Sequence, residues 1–374
     1  MNISRNKSHN LQQLPKKIIS LFIILFLIVL IGIPLLQLLL QYQTRRDIQI
    51  TSEFGIDTLI SLNTKTGQQW LKLRGKDRRN PIILFLHGGP GAPLFPDIKN
   101  IGVNIGLEDS FVMAYWEQPG TGKSFQKNIP DSLITIDKMV NYAQDVTNYL
   151  RQNFNRDKIY LMARSWGSLI GLKLVLAHPE LFEAYIGIGQ LIAPLENDRL
   201  SYQYTLELAE QAGNQKALQE LQKIGLPPYN ASQVIVQRHW LTHFYYLFME
   251  KQFGVRRQNQ LIKLLSTREY SLADIIKMGS DPFYSIKHLW NEELYQINFL
   301  KQEIKIDIPV IFVAGKYDYY TPAQLTRKFY NKLLAPAGKE LLIFDSSGHH
   351  PELEQPEKFR RKFVSKMDSL KNSR

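Results

Sequence analysis

Three side chains far apart in the chain have surroundings suited to covalent chemistry. Ser165 lies in KIYLMARSWGSLIGL, residues 158–172, directly after an apolar run and directly before a helical stretch. Ala163 and Gly167 stand two positions to either side of it. A strand that enters a helix through one residue needs small neighbours at those places, because larger side chains collide in the bend. The helix starting at Trp166 aims its first N–H groups and the positive end of its dipole at the serine oxygen. Ser165 is the candidate nucleophile, and an ordinary N-cap serine is the plainer alternative.

A serine hydroxyl needs a base to take its proton. Of the eight histidines, His349 in SSGHHPELEQPEKF is best placed, on a loop after the apolar run 340–344, and the adjacent His350 is the other candidate. Asp318 in GKYDYYTP follows the run 309–314, and an acid there would hold the imidazole tautomer. Thirty-one positions separate Asp318 from His349, room for one helix and one strand. Donors for a developing oxyanion are expected from HGGPG, residues 87–91, where glycines let the backbone approach a substrate; the candidate pair is the N–H of Gly89 and that of Trp166. The same five residues also suit a simple tight turn.

These positions all fall at the ends of expected strands. Runs at 69–73, 81–87, 111–117, 159–163, 184–188, 309–314 and 340–344 read as strands, and 133–154, 166–177, 323–334 and 356–370 read as helices. Such alternation implies an α/β fold with a mostly parallel central sheet flanked by helices. Residues 192–303 break the pattern with Leu-, Gln- and Tyr-rich helical spacing, as in 204–224 and 234–253, and read as a helical cap inserted after the first half of the core. The expected organisation is a basic tail at 1–17, a transmembrane anchor at 18–41, core at 47–191, cap at 192–303 and core again at 304–374.

HGGPG, YWEQPGTGKS, ARSWGS, GKYDYYTP and SGHHPELEQPEKF together resemble the proline iminopeptidase branch of the α/β-hydrolase superfamily, whose pattern has HGGPG, DQRGxGxS and GGSWGS. The chain order Ser, Asp, His is that of the superfamily. The resemblance runs over residues 55–364, with 192–303 similar only in being a helical cap. It implies a Ser165 nucleophile, a His349 base, an Asp318 acid, an oxyanion hole at Gly89 and Trp166, and removal of an N-terminal residue from short peptides, with no cofactor. Glu117 and Pro119 stand where the family has Asp and Arg, and Arg164 where Gly or His precedes the serine. Phe244 in QRHWLTHFYYLFME stands where an amine-binding Glu is expected, with Glu250 a substitute; Glu117, Trp240, Phe244 and Glu250 are the candidate substrate contacts. An esterase or lactonase acting on small acyl substrates is the alternative within enzymes, and a non-catalytic ligand-binding receptor the alternative outside them.

Two other constellations carry less. His239 and His243 have the i, i+4 spacing of metal ligands, but HWLTH lacks the Glu of H-E-x-x-H, so no metal is expected. TGKS at 121–124 echoes the end of a phosphate loop, but Glu117 occupies the place of its first Gly.

Composition bounds the remaining possibilities. With 374 residues and 44% hydrophobic content the chain can bury a large core, and the absence of cysteine excludes disulfides, thiol nucleophiles and thiolate metal sites. Residues 18–40 are interrupted only by Ser20, Gly32, Pro34 and Gln37; at about 1.5 Å per residue they reach about 35 Å, enough to cross a bilayer core of ~30 Å. Arg5, Lys7, Lys16 and Lys17 before the run against Arg45 and Arg46 after it predict a cytoplasmic N-terminus and an extracytoplasmic domain. Of the net charge of +12, the first 46 residues hold six, leaving a mildly basic remainder without a nucleic-acid-binding signature. Nothing in the sequence bears on oligomeric state.

Overall fold

The computed structural model of the chain describes residues 16–372, so the expected basic tail, with Arg5 and Lys7, lies outside the described residues save its last two. The described chain opens with α1 (Lys16–Leu27), a π-helical turn (Ile28–Gly32) and α2 (Ile33–Asp47). Pro34 explains the widened turn: it has no N–H to bond the carbonyl four residues back, while the first turn of α2 tolerates it. Together these elements form one run, Ser20–Asp47, long and apolar enough to cross a membrane, with exposed apolar side chains from Leu21 to Leu39.

Eight strands follow: β1 (Ile56–Thr64), β2 (Gly67–Gly75), β3 (Ile82–Leu86), β4 (Val112–Glu117), β5 (Ile159–Arg164), β6 (Phe182–Ile188), β7 (Val310–Gly315) and β8 (Lys339–Phe344). They make one sheet in the order β1-β2-β4-β3-β5-β6-β7-β8, with β2 antiparallel to β1 and β4 and every later pair parallel. The strand β1 has no counterpart in the sequence reading. As an edge strand it has hydrogen-bonded partners on one side only and alternates between half-buried and exposed positions, so it lacks the apolar run that marks the inner strands.

Alternate residues of the inner strands feed two cores. Ile82, Leu84 and Leu86 of β3 pack toward α3 (Ile136–Asn153), α4 (Trp166–Ala177) and α12 (Ala323–Lys332), while Ile83 and Phe85 pack toward Phe359 and Phe363 of α14 (Pro356–Asn372). This period-two burial on both faces is what a covered parallel sheet requires.

Between β6 and β7 the chain is helical: α5 (Pro194–Gln211), α6 (Gln215–Ile224), α7 (Ala231–Phe253), α8 (Gln260–Ser266), α9 (Leu272–Gly279), α10 (Tyr284–Leu289) and α11 (Glu292–Gln296). The single helix expected over 204–224 is two, because Gly213 takes a φ of 62° and the Asn214 side chain caps α6 through the Ala217 N–H at 3.0 Å. The last short helix before α14 is α13 (Pro351–Glu354).

Candidate active site

Ser165 joins β5 to α4 with φ 54° and ψ −123°, a backbone state that side-chain-bearing residues rarely adopt. The bend holds because the main chain around it has hydrogen-bond partners: Ser165 N–H donates to the Ile188 carbonyl and Ser168 N–H to the Ser165 carbonyl, both at 2.9 Å. It also needs Gly167, where a Cβ would stand 2.4 Å from the His87 carbonyl oxygen. The backbone of Gly88 crosses directly over the serine, so a Cβ there would lie 3.1 Å from Ser165 Cβ.

The loop after β8 brings His349 to this serine from 184 positions away, with Nε2 3.0 Å from Ser165 Oγ. Its Nδ1 lies 2.9 and 3.0 Å from the two carboxylate oxygens of Asp318, on the loop after β7. An Nδ1–H donating to that carboxylate leaves Nε2 as the acceptor, which is the tautomer a general base needs. Asp318 is fixed in turn by the N–H groups of Tyr320 and Thr321 at 2.9 and 2.8 Å and by the Thr321 hydroxyl at 2.7 Å. The Tyr320 ring stacks on the imidazole, with centroids 4.8 Å apart. His350 turns away from the serine toward Glu352, and burial holds its imidazole below the usual histidine range.

Two further residues tie the site together, and the sequence marks only one of them, Arg164, as a departure from the motif. Tyr245 of α7 accepts the His349 main-chain N–H at 2.7 Å and donates to Glu354 at 2.6 Å. Arg164, beside the serine, spans two loops: it donates to Glu352 of α13 and to Asp97, each at 3.0 Å. Burial pushes the Asp97 carboxyl up, but Arg164 and Lys263 together outweigh this and hold it at about 2. His87, fully buried, fixes the HGGPG turn by donating from Nδ1 to the Gly88 carbonyl at 2.8 Å and accepting the Gln118 N–H at 3.1 Å on Nε2. Burial lowers its pKa to about 4, which keeps the ring neutral.

Above Ser165 lies a cavity of about 700 Å³, with Gly88, Gly89, Trp166 and His349 in its wall. From α7 it takes Val234, Arg238, Thr242 and Tyr246, a stripe four residues apart and hence one helix face. Trp240 and Phe244, expected as substrate contacts, are buried away from that wall. Residues two positions off the stripe face the far side of the helix, and there Trp240 bonds Glu220 at 2.9 Å and stacks on Phe244. Glu250 is outside the cavity too, half exposed and paired with Arg256 at 2.9 Å. Glu117 is wholly buried beneath the site: it accepts the N–H groups of Leu94, Phe95 and Lys123 at 3.0, 3.2 and 2.6 Å and the Tyr270 hydroxyl. Burial raises its pKa to about 7. None of the four is in the wall of the cavity.

The remaining motifs also have local roles. Lys123 of TGKS pairs with Asp274 at 2.8 Å, and the Ser124 hydroxyl accepts the Trp70 N–H at 2.8 Å. His239 and His243 both set their rings edge-on to Trp240. Among the described residues no group of three or more potential metal ligands converges.

Residues 81–356 match the alpha/beta hydrolase fold family. The chain is 31% identical over 319 residues to the Probable aminopeptidase YbaC of Bacillus subtilis (strain 168), across 84% of this chain and 95% of that protein. It is 26% identical over 291 residues to a proline iminopeptidase of Heyndrickxia coagulans, across 75% of this chain and 87% of that protein. The crystal structure of a Mycobacterium smegmatis proline iminopeptidase shares the fold with a TM-score of 0.58 at 15% identity, covering 84% of this chain and 99% of that one. A sheet of this order, a family match over most of the chain and relatives of nearly equal length lead to one assignment: the protein belongs to the alpha/beta hydrolase fold family.

Proposed function

We propose that this protein is a membrane-anchored serine hydrolase that forms an acyl-enzyme and removes N-terminal residues from short peptides or amides. The observation that carries the reading is the pair of contacts made by His349, 3.0 Å to Ser165 Oγ on one ring nitrogen and 2.9 Å to Asp318 on the other. Nε2 takes the Ser165 proton as Oγ attacks the carbonyl; Asp318 holds the ring and stabilises the imidazolium. The N–H groups of Gly89 and Trp166 receive the oxyanion, and the imidazolium protonates the leaving amine. Water then repeats the cycle on the acyl-enzyme. The aminopeptidase-named relatives support the peptide substrate class. The apolar run Ser20–Asp47 supports the anchor, and the excess of Lys and Arg before the run supports a cytoplasmic N-terminus with the catalytic domain outside.

A specific observation favours a second reading, cleavage of esters, lactones or amides without a free amine. Both carboxylates that flank the cavity already have partners: Asp97 holds Arg164 and Lys263, and Glu354 holds Tyr245, Ser347 and the Gly348 N–H. An ammonium would have to share one of these carboxylates with the donors it already holds. The test is the purified full-length protein with proline and alanine arylamides beside short acyl esters, with Ser165→Ala as control. Arylamide turnover that Ser165→Ala abolishes supports the aminopeptidase; turnover of esters alone replaces it with the second reading; no turnover of either overturns both. Protease accessibility in intact cells tests the orientation, and cleavage only after lysis contradicts it.

A further inference from the structure

The anchor does not stand apart from the hydrolase domain. The side chain of Gln37 is buried and donates to the Tyr270 carbonyl at 3.0 Å, and Gln41 donates to the carbonyls of Thr267 and Tyr270, both at 2.8 Å. These carbonyls belong to the turn between α8 and α9, and α8 packs along α2. A crevice of about 320 Å³ separates the foot of α2 from this region, with Thr44 on one wall and Gln258 and Lys263 on the other. Pro96, Asn100, Gln258 and Lys263 line both that crevice and the cavity above Ser165, so the two adjoin across these four residues.

Helix geometry sets the depth of these contacts. The middle of the apolar run 18–40 is Val29; Gln37 is eight residues beyond it, and at ~1.5 Å per residue this is about 12 Å. That lies inside the ~15 Å half-thickness of a bilayer core. Thr44, fifteen residues beyond Val29, is roughly 22 Å out by the same rise. The helix α8, held between these two levels, therefore spans the boundary between acyl chains and headgroups. Its exposed residues suit that depth: Leu261 is 59% and Ile262 52% exposed, and α2, against which α8 packs, exposes Leu35, Leu38 and Leu39. Arg45 and Arg46, exposed one and two residues beyond Thr44, fall at the level of anionic headgroups.

We propose that α8 is a second membrane contact, seated in the interface beside α2 through Leu261 and Ile262, and that the catalytic cavity opens there toward the bilayer. The inference rests on the membrane-anchored reading and adds to it the substrate's route: an amphiphile carrying the scissile carbonyl enters from the lipid side. Leu261 and Ile262 are outside the cavity wall, so their part is in seating the domain and not in catalysis.

The absence of cysteine permits a direct test on the full chain. Three single-cysteine variants, Leu36→Cys in α2, Ile262→Cys in α8 and Leu334→Cys just before β8 at the opposite end of the sheet, are labelled with an environment-sensitive fluorophore. Each is reconstituted in vesicles of phosphatidylcholine and phosphatidylglycerol. The label at 262 is expected to be quenched by lipids with a nitroxide near the headgroup and shielded from aqueous iodide, whereas the label at 334 shows the reverse. Iodide access at 262 equal to that at 334, with the label at 36 quenched by lipid, overturns the seating of α8 while leaving the anchor intact. A label at 36 that lipid quenchers miss overturns the anchor and this inference together. For the route, the double variant Leu261→Asp, Ile262→Asp is expected to lose about ten-fold in turnover of a long-chain acyl ester held in vesicles, with a short soluble ester hydrolysed as before. Equal rates on the vesicle-borne ester contradict it. Wild type that turns over neither the soluble ester nor an arylamide marks a failure of the serine-hydrolase reading instead.

Discussion

The Tyr245 hydroxyl accepts the main-chain N–H of His349 at 2.7 Å across 104 positions of sequence, so a helix of the inserted segment holds the loop that presents the imidazole. Without that hydroxyl the buried His349 N–H has no acceptor and Glu354 loses a donor. Tyr245→Phe is expected to lower stability by about 1–3 kcal/mol and the turnover number by roughly ten-fold, with KM for a small ester little changed. Urea unfolding beside steady-state kinetics checks both; full activity in a destabilised variant would reduce Tyr245 to packing.

Arg164 holds two carboxylates from different loops beside the serine. Its loss leaves the buried Glu352 carboxylate without its guanidinium and Asp97 with Lys263 alone. Arg164→Met is expected to cost about 3–5 kcal/mol. Arg164→Lys should recover little, because one ammonium cannot bond two carboxylates in the forked geometry of a guanidinium. Thermal melts of the two variants decide this, and a lysine variant melting with the wild type would contradict it.

The backbone at Ser165 makes an unusual demand on stability. At φ 54° and ψ −123° any Cβ is strained, and glycine is free of that strain. Both Ser165→Ala and Ser165→Gly remove the hydroxyl, but the glycine variant is expected to be the more stable by about 1–2 kcal/mol. Denaturant midpoints compare them directly.

Much of this geometry was legible because it is local. The small-residue frame around Ser165, the HGGPG turn and the acid and base following late strands are each decided within a few residues of a strand end. The partners of Arg164 lie 67 and 188 positions away, beyond any window of local pattern. The cavity wall is less legible for a different reason: Trp240 and Phe244 stand out by residue type and motif position, whereas the face of α7 that lines the cavity carries Val234, Arg238, Thr242 and Tyr246. Glu117 is marked in the sequence by standing where the family motif has Asp, but nothing local shows that it gathers the N–H groups of two loops.

Two buried groups make opposite contributions to the pH dependence of stability. His87 is lowered to about 4 by burial, so between that value and its unfolded value of 6.5 the unfolded chain binds the extra proton. Its contribution is present above pH 6.5 and is lost as pH falls toward 4, roughly 3 kcal/mol in all. Glu117 is raised from 4.5 to about 7, so its contribution is present below pH 4.5 and is lost as pH rises through 7. The two oppose each other over most of that window. Relative to wild type, Glu117→Gln should make stability rise more steeply from pH 4.5 to 6.5, and His87→Gln should make it fall. Urea midpoints across that range test the signs.

The central claim is that Ser165 is activated by His349 and Asp318. Its most direct measurement is the intact mass of the full-length protein after a fluorophosphonate, followed by peptide mapping. One adduct per chain on Ser165 is expected, absent in Ser165→Ala and slowed at least a hundred-fold in His349→Ala at unchanged fold. Adduct on another residue, or labelling of Ser165 at the same rate without His349, would contradict it.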